Sequence, residues 1–392
     1  MQTQDALWTR SFILLAFSNL LLATAFYFLI PTLPEFAIKY VGADKSQVGL
    51  IVAVYALSSL IIRPITGWSI DNFGRKYILI IAMLFFSLIF GLYYFVSTFA
   101  MFIILRFIHG ISWGVTTSTA ATSVIDVIPV NRRGEGIGIF GISFTLAMAI
   151  GPLIGLAIRG EDNYFMLFLS TVIFSFAGWL LVLFVKFPKF EANPLNKHFT
   201  LKNVFEKRVL PITTLHFLTS ITYGSIVSFI PLYFKELGFQ SSGGFFFCFA
   251  IGIGLSRLLS GKIFDKKGPK DLVVVGLIIA AIGFLMISYV HLYTFLLISG
   301  FITGFGSGIV WPAFMAMANN IVEPFRRGAA NSTVLTATDL GIGLGSALFG
   351  LVVKYFPFHY IFVISSILII AVIIIFRFIT FNHYSKHLLN FK

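Results

Sequence analysis

Charged residues are scarce in this chain, and long apolar stretches dominate it. Only 11% of its 392 residues are Asp, Glu, Lys or Arg, while 58% are hydrophobic. Soluble domains carry about a quarter charged residues. The single cysteine, Cys248, excludes an internal disulfide and a thiolate metal cage. This composition excludes a soluble enzyme, a disordered chain and a disulfide-built secreted module, and it predicts a polytopic membrane protein.

Motifs for nucleotide or metal chemistry are also missing from the sequence. The spacing of Gly254 and Gly261-Lys262 does not match a Gly-x-x-x-x-Gly-Lys-Ser/Thr phosphate loop. No cluster of Cys and His suggests a metal site. We therefore expect a protein that is not an enzyme and needs no cofactor or metal.

Twelve apolar runs follow one another, and each is long enough to cross a bilayer, which takes roughly 20 residues. They cover residues 11–36, 46–70, 77–97, 99–127, 134–158, 162–186, 209–235, 243–264, 271–290, 292–321, 327–354 and 357–380. The long polar stretch 187–208 separates six runs from six. The sequence predicts an all-α membrane protein with an N-terminal six-helix bundle at 1–186, a cytoplasmic linker at 187–208, and a C-terminal six-helix bundle with a short cytoplasmic tail at 209–392.

Basic residues set the predicted orientation. The net charge of +13 comes from Lys and Arg residues that lie mainly between the apolar runs, a pattern that favours membrane orientation over nucleic-acid binding. Of the 28 Lys and Arg residues, twenty fall on the side of the N-terminus, the linker and the C-terminus, and five fall on the opposite side. By the positive-inside rule, both termini are predicted to be cytoplasmic in a multi-pass protein of the plasma or inner membrane.

Two segments of the chain repeat each other at one offset. Arg63, Gly67, Asp71, Gly74 and Lys76 recur 194 positions later as Arg257, Gly261, Asp265, Gly268 and Lys270. The same offset relates Arg132-Arg133-Gly134 to Arg326-Arg327-Gly328. The two halves are therefore interpreted as copies of one six-helix unit with the same orientation. Parallel repeats of this kind place a substrate site between the halves, near the bilayer midplane.

Three motifs resemble those of a known family, the major facilitator superfamily. The loop Gly67-x-x-x-Asp71-x-x-Gly74-Arg75-Lys76 resembles its signature, and residues 261–270 are a weaker copy. Arg106-Phe-Ile-His109-Gly110 is similar to the family's Arg-x-x-Gln-Gly pattern, with His109 replacing Gln. Gly151-Pro152-Leu-Ile-Gly155 resembles an element of the drug:proton antiporter branch, although two of that element's glycines are Ala147 and Leu156 here. The resemblance implies twelve helices in two pseudo-symmetric six-helix bundles.

The repeated loops are predicted to act as gates. Gly67 and Gly261 allow helices to approach closely, and Gly74 and Gly268 relieve tight turns. Asp71 can accept charge-assisted hydrogen bonds from basic groups or from a helix N-terminus, as a latch made in one conformation only. A static surface salt bridge, worth about 1 kcal/mol or less, is the simpler alternative.

Polar and aromatic side chains inside the apolar runs are the candidates for a substrate and proton pathway, because placing them in lipid is costly. Asp339 lies near the middle of the eleventh run, and Arg106 lies in the fourth with His109 one turn later. The other candidates are His216, Asn19, Tyr27, Tyr55, Trp113, Tyr223 and Trp311. The resemblance implies that Arg106, Trp113, His216 and Trp311 are on helices that line a central cavity.

The favoured function is proton-coupled antiport that exports a small amphipathic or aromatic molecule. An importer or facilitator of a sugar or an organic anion is the alternative, and Arg106 with a histidine suits an anion. A small molecule, protons and membrane lipid are the expected partners, nucleic acid is not, and a monomer is expected.

The predicted topology can be tested by cysteine labelling in a Cys248→Ser background. Cysteines at Lys197, Lys267 and Lys386 should react with an impermeant reagent only from the cytoplasmic side, since these positions follow the positive-inside pattern. Cysteines at Asp44 and Glu161 should react only from outside. A reversed pattern at any position would contradict the twelve-helix assignment.

Overall fold

The computed structural model of the chain is built from α-helices. It describes residues 6–43, 48–189, 205–239, 242–289 and 292–389. Within these ranges the helices are α1 (Arg10–Leu29), α2 (Leu33–Val41), α3 (Val48–Phe73), α4 (Arg75–Leu92), α5 (Phe99–Val127), α6 (Arg133–Arg159), α7 (Tyr164–Leu183), α8 (Leu210–Glu236), α9 (Gly243–Lys267), α10 (Pro269–Tyr289), α11 (Tyr293–Asn320), α12 (Arg327–Tyr355), α13 (His359–Ile375) and α14 (Phe381–His387).

Twelve helices in the described ranges are long and apolar enough to cross a membrane. The short α2 is additional, and α14 continues α13 through the π-helical turn Phe376–Thr380. The predicted all-α fold with twelve spanning helices is confirmed.

The first apolar run differs from its predicted form, because it contains two helices rather than one. Helix α1 ends at Leu29, and α2 begins at Leu33 with a proline in its first turn. Pro31 lies between them. Proline has no N–H to donate to the carbonyl four residues earlier, which explains why α1 ends here although Ile30 keeps a helical backbone.

Helix α2 is fixed by ion pairs and aromatic contacts. Lys39 pairs with Asp162, and Glu35 pairs with Arg159, both in or next to the loop after α6. The hydrogen bond from Lys39 lowers the pKa of the exposed Asp162 carboxyl. Phe36 packs against Tyr164 with ring centroids 5.1 Å apart.

Contacts within the chain divide it into two units. Unit 1 contains Met1–Pro129, Ser143–Phe205 and Pro324–Ser332, and unit 2 contains Val130–Ile142, Glu206–Glu323 and Thr333–Lys392. Helix α6 therefore begins in unit 2 and ends in unit 1, whereas α12 begins in unit 1 and ends in unit 2. The domain boundaries drawn at 186 and 209 stay a prediction, and residues 190–204 of the predicted linker lie outside the described residues.

Each unit packs its helices in pairs. In unit 1, α3 packs on α5, α1 on α7, and α4 on both α5 and α7. In unit 2, α11 packs on α9 and α10, and α13 packs on α10 and α8.

Glycines allow α6 to approach α1 within unit 1. A Cβ added at Gly155 would lie 2.5 Å from the backbone oxygen of Phe28, and one at Gly151 would lie 2.5 Å from Cβ of Tyr27. Pro152 lies between these glycines inside α6. Small residues at such positions stabilise helix pairs in membranes by letting the backbones meet.

Gly155→Ala should lower the unfolding temperature of the purified protein, because its Cβ meets backbone atoms that cannot rotate away. Gly343→Ala is the matched control, since a Cβ there has no neighbour within 4 Å. That control should be neutral or stabilising, by up to about 1 kcal/mol of helix propensity. Equal shifts of the two variants in a thermal unfolding experiment would contradict the close α1–α6 contact.

Candidate functional site

Asp71 caps the start of a long helix in unit 1. Its carboxylate lies in the last turn of α3 and is 1% exposed. Oδ1 accepts the backbone N–H of Gly328 at 2.8 Å, and Oδ2 accepts that of Ala329 at 2.8 Å. Gly328 and Ala329 are in the first turn of α12, where backbone N–H groups have no partner within the helix. An anion at this end is also favoured by the helix dipole.

Asp265 makes the equivalent contact in unit 2. Its Oδ1 accepts the N–H of Gly134 at 2.8 Å, and its Oδ2 accepts that of Glu135 at 2.9 Å. These residues are in the first turn of α6. In each unit, therefore, an aspartate from one half of the sequence caps a helix that begins in the other half.

Glycines in the two repeated segments make these contacts possible. A Cβ at Gly67 would lie 2.8 Å from the backbone oxygen of Gly328, and one at Gly261 would lie 2.8 Å from that of Gly134. Any side chain there would push the helix start away from the carboxylate. Gly74 has φ +88° and Gly268 has φ +78°, a backbone conformation that L-residues with a Cβ rarely adopt.

Four charged side chains form a network in unit 1. Arg75 Nε lies 2.9 Å from Asp126 Oδ2, and Arg327 lies 2.7 Å from Asp126 Oδ1. Arg75 also lies 3.7 Å from Asp71 and donates to the backbone oxygen of Pro324 at 2.8 Å. Asp126 was not among the predicted site residues. The sequence signal for it was an acid in the last turn of an apolar run, just before paired arginines.

Unit 2 carries a network of different composition, with an ion pair between Arg132 and Glu135. At the repeat offset, Pro269 replaces Arg75 and Asn320 replaces Asp126. Arg133 is 1% exposed and donates to the Asn320 side chain at 2.8 Å and to the backbone oxygen of Asn319 at 3.2 Å. The exposed Lys76 lies beside the ring of Tyr77, outside both networks.

Several predicted pathway residues meet in unit 1. The Arg106 side chain is 5% exposed, donates from Nε to the Ile51 carbonyl at 3.2 Å, and lies 4.2 Å from the ring centroid of Tyr55. His109 is fully buried, with Nδ1 3.0 Å from the Tyr93 hydroxyl. The ring of Tyr55 also contacts His109 edge-on.

An aromatic group extends this cluster toward α1. Trp113 stacks on Phe26 with ring centroids 4.5 Å apart and also contacts Phe144. Tyr27 packs edge-on against Phe144. Asn19 donates to the Ser143 hydroxyl at 2.7 Å.

A second cluster lies in unit 2. His216 is 1% exposed; its Nε2 lies 2.9 Å from the Thr338 hydroxyl and accepts the indole N–H of Trp311. Asp339 follows Thr338 in α12 and is half-buried. Tyr223 packs against the ring of Phe249.

Two further arginines, Arg63 and Arg257, are buried in the spanning helices, and neither was among the predicted site residues. Arg63 donates to the Thr117 hydroxyl at 3.0 Å. Its repeat equivalent Arg257 is 4% exposed, donates to the Gly141 carbonyl and lies 5.7 Å from the Trp311 ring. Their matching positions in the repeat and their depth in apolar runs were the available signals.

The sequence and fold match known proteins over most of the chain. The staphylopine export protein of Staphylococcus aureus is 24% identical over 351 residues, which cover 85% of this chain and 87% of that protein. A multi-drug resistance efflux pump PmrA homolog of Lactococcus lactis is 25% identical, with 98% of each chain covered. The crystal structure of the human organic anion transporter MFSD10 (TETRAN) superposes with a TM-score of 0.84 at 17% identity, covering 93% of this chain and 98% of that one.

The sequence profile of the Major Facilitator Superfamily matches residues 15–293 and 243–390. Its transporters bind small molecules and span the membrane several times, as the twelve apolar helices require. The chain therefore belongs to the Major Facilitator Superfamily and is a multi-pass membrane transporter.

Proposed function

We propose that this transporter exports a small amphipathic or aromatic molecule from the cytoplasm in exchange for protons, by alternating access. The observation that carries the proposal is the pair of equivalent carboxylates, Asp71 and Asp265, that hold the starts of α12 and α6. A secondary transporter needs contacts that exist in one conformation and break in the other, and we propose that these carboxylate contacts do so.

The carboxylate contacts suit a gate because they are strong when formed and because, when they break in water, no carboxylate or backbone N–H is left buried without a partner. A charged acceptor with two backbone N–H donors forms hydrogen bonds about twice as strong as neutral ones. When the helix start leaves the carboxylate at the cytoplasmic surface, water can satisfy both. Differential contacts of about 1–3 kcal/mol shift two conformations by roughly 5- to 150-fold, so a few such bonds set which state prevails.

Aromatic rings in both units support the proposed class of substrate. The 37% exposed Trp311 in unit 2 presents a flat apolar surface, while Trp113 in unit 1 is 8% exposed and stacks on Phe26. Indole rings bind aromatic and cationic groups well. The relatives named as an export protein and an efflux pump support the outward direction.

Asp339 is the proposed proton site. Its side chain is half-buried in the interior of a spanning helix, where a charged carboxyl is costly. Exchange of its proton as the site faces each side in turn would couple transport to the proton gradient.

Import or facilitated diffusion of an organic anion is the second candidate. Arg106 is buried, and within the described residues no carboxylate lies within 4 Å of it. A buried guanidinium without an acidic partner is a site for an anionic substrate. The structural similarity to an organic anion transporter supports this alternative.

The proposed membrane and orientation follow from the distribution of basic residues along the chain. The paired arginines Arg132-Arg133 and Arg326-Arg327 would lie on the cytoplasmic side of a plasma or inner membrane, together with both termini. Lipid and protons are the proposed partners, and one chain is the proposed functional unit.

Asp71→Asn should strongly impair transport while the protein still folds and inserts. The amide can accept one of the two backbone N–H bonds, but its NH₂ group faces the other donor and repels it. Asp265→Asn should impair transport less, because the unit 2 network lacks the equivalents of Arg75 and Asp126. The measurement is the initial rate of uptake into inverted vesicles at equal protein amounts.

Asp271→Asn is the matched control for the latch variants, because Asp271 is an exposed acid in the first turn of α10. It should transport at the normal rate. Normal transport by Asp71→Asn as well would show that the loop is only a connector.

Asp339→Asn should abolish pH-driven uptake into inverted vesicles while leaving substrate counterflow measurable, because the amide cannot exchange a proton. The substrate for both assays is a compound selected from a panel by quenching of Trp113 or Trp311 fluorescence. If the variant still concentrates that compound in response to a pH gradient, the proton site lies elsewhere.

A further inference from the structure

Two hydrogen-bonding groups in unit 2 compete for the same nitrogen of His216. The indole N–H of Trp311 donates to Nε2, and the Thr338 hydroxyl lies 2.9 Å from Nε2. An indole N–H can only donate. While that bond exists, Nε2 must therefore be an acceptor, and the imidazole is neutral with its proton on Nδ1.

Thr338 is arranged to accept a hydrogen bond from His216 rather than to donate one. Its hydroxyl donates to the backbone oxygen of Val334 at 3.1 Å, so an oxygen lone pair is left toward Nε2. A protonated imidazole has a hydrogen on both nitrogens and no acceptor. Protonation at Nε2 would thus replace the Trp311 bond with a bond to Thr338.

The other nitrogen of His216 shows that the neutral state is not fully satisfied. Within the described residues, Nδ1 is buried without a hydrogen-bond partner. An unpaired buried N–H is unfavourable, and such groups in a native structure often mark functional sites. The ring of Trp311 stacks on the imidazole with centroids 5.7 Å apart and planes 12° apart, so movement of the indole would change what surrounds His216.

Two charged side chains lie near the pair in space or along the chain. Arg257 lies 5.7 Å from the Trp311 ring, and Asp339 follows Thr338 in α12. Phe314 contacts the imidazole edge-on from α11. Within the described residues, the other ionisable side chains on α8, on α12 and on the elements packed against α8 are Lys207, Arg208, Tyr223, Tyr233, Lys235, Glu236, Tyr293, Arg327, Lys354, Tyr355, His359, Tyr360 and Arg377.

We propose that His216 is a proton-binding residue that controls Trp311: neutral His216 holds the indole in place for an aromatic substrate, and protonated His216 releases it. This inference rests on the proposed proton-coupled export. It gives that export a means of exchange, because proton binding at His216 weakens the site that binds the substrate. Trp311 is the substrate-binding side chain, and Thr338 positions the imidazole by accepting a hydrogen bond from the protonated Nε2.

The experiment follows the fluorescence of Trp311 alone in the full-length chain. Trp8, Trp68, Trp113 and Trp179 are replaced by Phe, and quenching by acrylamide is measured without substrate. Because the imidazole is buried and its charged form is therefore disfavoured, the titration runs from about pH 8 to about pH 4. We expect one transition with more quenching at low pH.

Three variants distinguish this role from simple packing. His216→Gln keeps an acceptor for Trp311 but cannot titrate, so the transition should disappear. Thr338→Val should move its midpoint to lower pH, and Thr338→Ser should restore it. His387→Gln, at an exposed histidine in α14, is the control and should leave the transition unchanged.

Persistence of the transition in His216→Gln, or no transition in the Trp311-only chain, would overturn the assignment. Failure of the proposed function gives a different result. In that case the quenching of Trp311 changes with pH through His216, yet vesicles containing the unaltered chain take up no compound of the panel in response to a pH gradient. This combination would overturn the coupling and leave His216 only as a hydrogen-bond partner of Trp311.

Discussion

The bonds from two carboxylates to the first backbone N–H groups of α12 and α6 are the interaction on which the other features of the site depend. A helix start that faces no water needs an acceptor, and Asp71 and Asp265 supply one for two donors each. The glycines at 67 and 261 exist to let the backbones come within reach. The arginines around Asp126 then hold the same loop from a second direction.

The two halves of the repeat have diverged in charge while keeping this geometry. In unit 1 a buried acid pairs with two arginines, whereas in unit 2 the corresponding arginine, Arg133, is bound by an amide and a carbonyl. Ion pairs that are mostly buried gain more than exposed ones when the geometry is good, but they also cost more to separate. The starts of α12 and α6 are therefore held by different sets of contacts.

The sequence predicted the fold well because the membrane imposes a simple rule on it. Runs of about 20 apolar residues must be helices, and the repeat and the loop at Gly67–Lys76 indicated the family. The sequence also indicated that Asp71 would meet a helix N-terminus or a basic group, and its carboxylate contacts both. Asp126 was not predicted as part of that network, because its partner Arg327 lies 201 positions away in the chain.

The contacts between side chains inside the membrane could not be predicted from the sequence. His216 and Trp311 were both recognised as polar or aromatic residues in apolar runs, but the 95 positions between them gave no sign that they share a hydrogen bond. The choice between a satisfied core histidine and a functional one depends on Thr338, whose position beside Nε2 only the packing of α8 against α12 determines. The break between α1 and α2 was missed for a simpler reason, since Pro31 falls inside an otherwise continuous apolar run.

The distance along the chain between Asp71 and its helix start has a consequence for biosynthesis. Asp71 leaves the ribosome 257 residues before Gly328, and at about 5–20 residues per second that is a delay of roughly 10 to 50 seconds. During this time the rest of the N-terminal half is synthesised, and Asp71 has no α12 start to cap. The nascent N-terminal half is thus inserted in an unlatched form, and the capping of α12 is among the last structural steps of synthesis.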